Sequence, residues 1–172
     1  MHFYLQRTRE AIDEATRGMT AEQLAWHPPG KWSAAEILEH LSLAFSSTSK
    51  ALERVLSDGR PAATGPTFYE RVVTALVVDI GYFPSGRQAP EWTRPRGATP
   101  ETMLPSIREK LEEMDGKISE CERRFGAGRI AKHPIIGPFT ARQWRRFHWI
   151  HTRHHMKQIA RLRETQASAA RP

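Results

Sequence analysis

Four histidines lie in one short stretch near the end of the chain: His148, His151, His154 and His155. Apolar residues around them recur at three- and four-residue spacings, which predicts a helix. Residues four apart lie on one helix face, about 5–6 Å from each other, so His151 and His155 can hold one divalent ion between them. The pairs His148/His151 and His151/His154 are alternatives. The pair with His148 is the stronger rival, because His154 points partly away from the apolar stripe.

The stripe of this helix that carries the histidines is mostly apolar. It comprises Trp144, His148, His151, His155, Ile159 and Leu162. Such a stripe is predicted to face the core of the protein. An imidazole in a core needs a partner for its ring nitrogens, and a metal ion supplies one. Two imidazoles alone make a weak site, so a third ligand must come from another helix.

His40 is the third ligand that we predict. It lies at the edge of the apolar stripe of an earlier helix, three residues after Ile37 and one before Leu41. The remaining histidines lie near a terminus or beside a proline: His2, His27 and His133. We therefore predict a metal site at His40, His151 and His155. Three imidazoles leave at least one coordination position open, which can hold water or a thiol.

Two other residues could take part in catalysis, but we expect neither to do so. Cys121 is the single cysteine, and no histidine lies near it in the sequence, so it is not expected to be a nucleophile. Glu36 lies one turn before His40, but Ser33-Ala-Ala-Glu36 is a capping box that explains the carboxylate better than catalysis does. No H-E-x-x-H motif supplies a general base for hydrolysis.

The elements that must position these residues are helices. Long helices are predicted near residues 3–17, 34–57, 100–125 and 141–164, with a short helix near 67–80. Two segments are predicted to be loops, Gly81 to Ala98 and Gly126 to Phe139. We predict an all-α fold, namely a four-helix bundle with an extra short helix and a long crossover loop. Residues 1–165 form the bundle domain, and residues 166–172 form a disordered tail.

The composition of the chain limits the classes of function. The chain has 172 residues, a single cysteine and a net charge of +7. A lone thiol excludes an internal disulfide framework. We see no signal peptide and no apolar run long enough to cross a bilayer, so we expect a cytoplasmic protein without a membrane partner.

The basic charge raises nucleic-acid binding as another class of function. On the last helix one face carries Arg142, Arg146, Arg153 and Lys157, with Arg161 at its edge. This face lies roughly opposite the histidine stripe. A solvated outer face explains it better, because no helix-turn-helix, zinc-finger or RNA-binding motif accompanies it. We therefore do not expect nucleic acid to be a partner.

Three segments of the chain match motifs of one family. Trp32-Ser-Ala-Ala-Glu-Ile-Leu-Glu-His40-Leu41 resembles the signature W-S-x-x-E-x-L-x-H-L. His133-Pro-Ile-Ile-Gly-Pro-Phe-Thr140 with Trp144 resembles H-P-x-x-G-x-L-T-x-x-E-W. His151-x-x-x-His155-x-x-Gln158 resembles H-x-x-x-H-R-G-Q. Together, and in this order, they resemble the DinB-like (DinB/YfiT-like) family of metalloenzymes.

The resemblance implies a four-helix bundle in which His40, His151 and His155 bind a divalent ion, zinc or nickel. The family includes thiol-dependent S-transferases and isomerases, which implies a small-molecule substrate such as a low-molecular-weight thiol. Met156-Lys157 and Gln143 depart from the family pattern without removing a ligand. Gln158 is retained and is expected to orient a ligand or a bound water. A non-catalytic metal- or ligand-binding bundle is the alternative, and whether the chain forms a homodimer is left open.

Overall fold

The computed structural model describes residues 1–62, 65–82 and 88–169. Six α-helices account for most of them: α1 Phe3–Thr16, α2 Ala21–Ala25, α3 Ala34–Asp58, α4 Phe68–Thr74, α5 Pro100–Phe125 and α6 Ala141–Ala169. A π-helical turn, Ala75–Ile80, continues α4, and a 3-10 turn spans Glu91–Thr93. The helical fold and the four long helices of the predicted bundle are confirmed.

Helices α3 and α6 carry the histidines, and the sequence defines where each begins. In α3 the Ser33 hydroxyl accepts from the Glu36 backbone N–H at 3.1 Å, while the Glu36 carboxylate accepts from the Ser33 N–H at 2.8 Å. This reciprocal capping box satisfies two N–H groups that the helix itself cannot bond. Thr140 and Gln143 form the same arrangement at the start of α6. Gln143 thus caps the helix at the position where the family often has Glu.

The apolar faces of the long helices meet in one core. Helix α1 packs along α6, and α3 packs along α5, while α6 also contacts α3 and α5. The largest fully buried side chains include Phe45 of α3, Leu111 of α5 and Trp144 of α6. Because α3 and α6 are in contact, their inward faces can bring His40 near the histidines of α6.

The segment from Gly126 to Phe139 differs from its prediction as a loop. It forms an antiparallel hairpin of β1, Arg129–His133, and β2, Gly137–Thr140, with His133 paired to Gly137. The hairpin forms because Ile130 and Phe139 bury their side chains against the bundle. Five- and four-residue strands, one of them containing a proline, are too short to show a clear alternation of apolar residues in the sequence.

A close contact fixes this hairpin to α4. A Cβ atom added at Gly137 would lie 2.9 Å from the Cβ of Glu70, and the φ of Gly137 is +134°. Only glycine allows both this conformation and this approach. Lys132 of β1 adds an ion pair with Glu70 at 2.8 Å. The hairpin and α4 therefore lie together at one side of the bundle.

Helix α6 is longer than predicted. It continues to Ala169, so residues 166–169, which we expected in a disordered tail, are helical. The reason is composition, because Gln166, Ala167 and Ala169 favour the helix and no glycine or proline interrupts it before Pro172. Residues 170–172 lie outside the described residues. The division of the chain into a domain and a tail stays a prediction.

The crossover between α4 and α5 is only partly described. Residues 83–87 of the predicted loop 81–98 lie outside the described residues, and residues 88–98 contain the 3-10 turn but no strand. Among the described residues, no helix combines the length and the apolar composition that a membrane span requires.

Candidate metal centre

Three imidazoles from two helices converge inside the bundle. The Nε2 atom of His151 lies 3.2 Å from the Nε2 of His40 and 3.1 Å from the Nε2 of His155. All three side chains are buried. Their potential ligand atoms all lie within 4.8 Å of one another, so the cluster could hold a metal ion. The structure thus brings the three predicted residues together, while their role as ligands stays a prediction.

The outer ring nitrogens of two of these histidines have fixed partners. The Nδ1 of His40 lies 2.8 Å from the carbonyl oxygen of Thr93, and the Nδ1 of His155 lies 2.7 Å from the Oε1 of Gln158. A carbonyl oxygen can only accept, so each Nδ1 donates its hydrogen. In a neutral imidazole the other nitrogen then carries a lone pair. The Nε2 lone pairs of His40 and His155 therefore point at the centre of the cluster.

Burial keeps these imidazoles neutral. It lowers the pKa of His40, although the Thr93 carbonyl opposes the shift. It lowers the pKa of His155 to about 3, with a further contribution from the neighbouring His40. The pKa of His151 is well below its usual value, again because of burial and then because of the adjacent histidines. Neutral imidazoles are the form that binds metal ions.

The donor set fits a divalent transition-metal ion. His151 carries at most one hydrogen on Nε2 when it is neutral, and this hydrogen can serve only one of the two Nε2–Nε2 contacts. The other contact brings two lone pairs together unless a cation lies between them. A tetrahedral zinc ion bound at about 2.0–2.1 Å holds its nitrogen ligands roughly 3.3 Å apart, close to the spacing observed here. Imidazole also suits nickel, so the donor set does not select one metal.

The rival histidines of α6 lie outside the cluster. The Nε2 of His148 lies 3.0 Å from the Oγ1 of Thr48, and its ring packs edge-on against Phe45. Complete burial lowers the pKa of His148 to about 3. His154 is half-buried, with its Nε2 3.3 Å from the Nε2 of Gln158. We therefore interpret His148 as a core residue and His154 as a neighbour of the site.

His133, which begins the second of the three family motifs, has a structural role in the hairpin. Its Nδ1 accepts the backbone N–H groups of Ile135 and Ile136, each at 3.2 Å, and so closes the turn of the hairpin. Its ring lies 4.6 Å from that of Phe147, centroid to centroid. Burial lowers its pKa to about 4. The histidine thus attaches the hairpin to α6 close to the site.

Two residues near the site were missed by the sequence analysis. Thr93 supplies the carbonyl that orients His40, and Glu39 holds the segment that contains Thr93. The carboxylate of Glu39 is buried and accepts the backbone N–H groups of Gly97 and Ala98 at 3.1 and 3.0 Å. Glu39 lies about 200° around α3 from Ile37 and from Leu41, away from the predicted apolar stripe, so no signal in the sequence indicated that its carboxylate is buried. Its partners come from 58 and 59 residues away, which no local pattern reveals.

The residues that we did not expect to be catalytic are engaged elsewhere. Cys121 is fully buried, and burial raises the pKa of its thiol to about 11. The Glu36 carboxylate is used by the capping box of α3. Neither group can act as a nucleophile or general base at the cluster in this arrangement.

A cavity of about 1300 Å³ opens onto the three histidines. Trp32 and Trp92 contribute to its walls near His40, and Tyr69 and Tyr82 contribute on the side of α4. Of the described residues that line the cavity, none is Asp or Glu. The cluster is therefore accessible to a small molecule through a largely apolar and aromatic space.

Comparison with known proteins identifies the family. A family model described as the DinB superfamily matches residues 4–159, which include all three histidines, the whole of α3 and the part of α6 up to Ile159. The chain belongs to the DinB superfamily. This confirms the family that the three motifs indicated. A relative in Bacillus subtilis (strain 168), described as Uncharacterized protein YuaE, is 25% identical over 162 residues, covering 86% of this chain and 88% of the relative. No solved structure shows a significant match.

Proposed function

We propose that this member of the DinB superfamily is a divalent-metal-dependent enzyme, a thiol-dependent S-transferase that uses zinc or nickel. The observation that carries the proposal is the convergence of three buried, neutral imidazoles at the wall of an accessible cavity. His40, His151 and His155 would hold the ion. Three protein ligands would leave at least one position of the ion open, which is typical of catalytic rather than structural sites.

The bound ion would supply positive charge that lowers the pKa of a thiol. The other contributions to the reaction would come from residues of the chain. His40 and His155 are held in the correct tautomer by Thr93 and Gln158. In the reaction the substrate thiol loses its proton, and its sulfur forms a bond to an electrophilic carbon of the second substrate. The leaving group departs with the electron pair of the broken bond and the proton passes to solvent.

A non-catalytic metal- or ligand-binding bundle is the second candidate. One observation favours it, namely that no carboxylate of the described residues lines the cavity. A hydrolytic enzyme would need such a group as a general base. A thiol transferase does not need a general base, because the ion itself favours the thiolate. We therefore prefer thiol transfer to the non-catalytic bundle.

Turnover separates the two candidates. Protein loaded with zinc or with nickel is incubated with a panel of low-molecular-weight thiols and a bimane electrophile that becomes fluorescent when a thioether forms. We expect at least one thiol to react faster than the uncatalysed mixture, with no acceleration by His151→Ala or by chelator-treated protein. His154→Ala is the matched control and should keep the activity. If the ion is retained but no thiol is turned over, the non-catalytic bundle is the correct function.

A further inference from the structure

The cavity carries positive charge that its surroundings do not neutralise. Four of its lining residues are cationic: Lys31, Arg94, Lys132 and Arg161. Lys132 pairs with Glu70, and Arg94 pairs with Glu91, each at 2.8 Å. Neither Lys31 nor Arg161 has a carboxylate within 4 Å in the part of the chain that the structure describes. With no acidic residue in the described lining, these two cations favour an anion.

The geometry of α3 and α6 places both cations at the same end of the cavity. Thr48 of α3 contacts His148 of α6. A second contact, between His40 and His155, lies eight residues earlier in α3 and seven residues later in α6. The two helices therefore run antiparallel, and a further step of seven residues brings Ser33 opposite Leu162. Lys31 lies just before the start of α3, and Arg161 lies beside Leu162.

The distance from the imidazoles to this end suits a small molecule. Arg161 follows His155 by six residues, which corresponds to about 9 Å along the helix. The walls between them include the apolar or aromatic side chains of Trp32, Ile37 and Leu162, with the polar Gln158 beside His155. The ring of Trp32 lies 5.3 Å from that of His40. A ligand that spans this space would place an apolar body against these side chains.

We propose that the substrate is an organic anion with an apolar body. Its carboxylate or phosphate group lies between Lys31 and Arg161, and its reactive end lies at the three imidazoles about 9 Å away. The position of the reactive end rests on the proposed function. The recognition of the anion does not, since Lys31 and Arg161 lie outside the histidine cluster.

A pair of fluorescent probes tests the recognition of charge. Anilinonaphthalene sulfonate is an apolar anion, and N-phenylnaphthylamine has the same ring skeleton without the charge. We expect the double variant Lys31→Gln/Arg161→Gln to bind the anionic probe roughly tenfold more weakly, the sum expected for two partly screened charges. Binding of the neutral probe should change less than twofold. Lys157→Gln removes a charge from the exposed face of α6 and is the matched control, with no effect on either probe.

The same assay locates the site and separates the anionic groups. Ala44→Trp narrows the cavity near the histidines, so it should weaken the binding of both probes. Dodecanoate and dodecyl phosphate compete against the anionic probe, and the one that displaces it at the lower concentration identifies the preferred group. Dodecanol should displace it at least tenfold less effectively.

The outcomes separate this proposal from the metal-dependent function. An anionic probe that binds equally well to wild type and to the double variant overturns the proposal, as does an equal loss for both probes. Metal-free wild type, prepared with a chelator, is expected to show the same preference for the anionic probe, because Lys31 and Arg161 lie outside the histidine cluster. If wild type holds no ion but the charge discrimination is present, the proposed enzyme fails and the anion site stands.

Discussion

The Nδ1 of His40 donates a hydrogen bond to the carbonyl oxygen of Thr93 across 2.8 Å, joining α3 to a turn that lies 53 residues later in the chain. This one bond fixes the tautomer of His40 and leaves its Nε2 lone pair directed at His151. It also ties the turn at residues 91–93 to the floor of the cavity. The histidine cluster and the crossover segment are therefore parts of one arrangement, and each should respond to changes in the other.

Metal retention should depend on His151 and not on His154. Protein purified without an affinity tag and loaded with zinc is expected to keep about one ion per chain. His151→Ala removes the imidazole shared by both Nε2–Nε2 contacts, so it should abolish retention. The loaded wild type should also have a higher melting temperature than the metal-free form. At free zinc a hundredfold above the dissociation constant, binding raises the free energy of unfolding by about 2.7 kcal/mol. Release of the ion by His154→Ala with retention in His151→Ala would show that the ligands are assigned incorrectly.

Gln158 should tune the affinity for the ion. Its Oε1 accepts from the Nδ1 of His155 at 2.7 Å, and partners of this kind typically contribute 10- to 100-fold to metal affinity. We expect Gln158→Leu to weaken zinc binding by about that factor, measured by competition with a chromophoric chelator. Gln158→Glu keeps an acceptor oxygen and should restore most of the affinity. Equal affinities for wild type and Gln158→Leu would mean that His155 needs no orienting partner.

Glu39 should act on the ion through the crossover segment. Its buried carboxylate accepts two backbone N–H groups, and Glu39→Ala leaves them without that acceptor, at a cost of about 1–3 kcal/mol in the free energy of unfolding. The variant should also bind zinc more weakly, because Thr93 is no longer held against His40. Leu111→Ala is the control, because it creates a cavity in the core next to α5. It should lower the free energy of unfolding without weakening zinc binding. If both variants lose affinity equally, the effect is one of general stability.

The metal-free protein should lose stability in mild acid, partly because of His148. Its pKa is about 3 in the folded protein against 6.5 when exposed, so below pH 6.5 the unfolded chain binds a proton that the folded chain does not. Folding stability therefore falls as the pH decreases, by about 2 kcal/mol between pH 6.5 and 4.5 for this group. His148→Gln should remove about that much of the pH dependence in urea unfolding. An unchanged pH dependence would show that His148 does not titrate in this way.

Cys121 should be unreactive in the folded protein. Its thiol is fully buried and its pKa is raised to about 11, so little thiolate exists near neutral pH. Ellman's reagent is expected to react with the denatured chain at least a hundredfold faster than with the native one. Cys121→Ala should retain zinc and any transferase activity. Loss of activity with the ion still bound would assign the thiol a role that the structure does not suggest.

The features that the sequence predicted are those set by local patterns. The start of α3 follows from Ser33 and Glu36 three residues apart, and the inward direction of His151 and His155 follows from the apolar stripe around them. The hairpin could not be predicted, because Ile130 and Phe139 favour strands only through the bundle surface that covers them. The partners of His40 and Glu39 come from the crossover segment, whose path depends on tertiary packing.

The separation of 111 residues between His40 and His151 has a consequence for a chain that is still being made. Synthesis proceeds from the N-terminus, so a nascent chain carries only one of the three imidazoles until α6 has been synthesised. A product truncated before α6 would have no chelating pair and would not compete for the cell's supply of the ion. Binding of the proposed ion would therefore have to wait until the histidines of α6 have been synthesised.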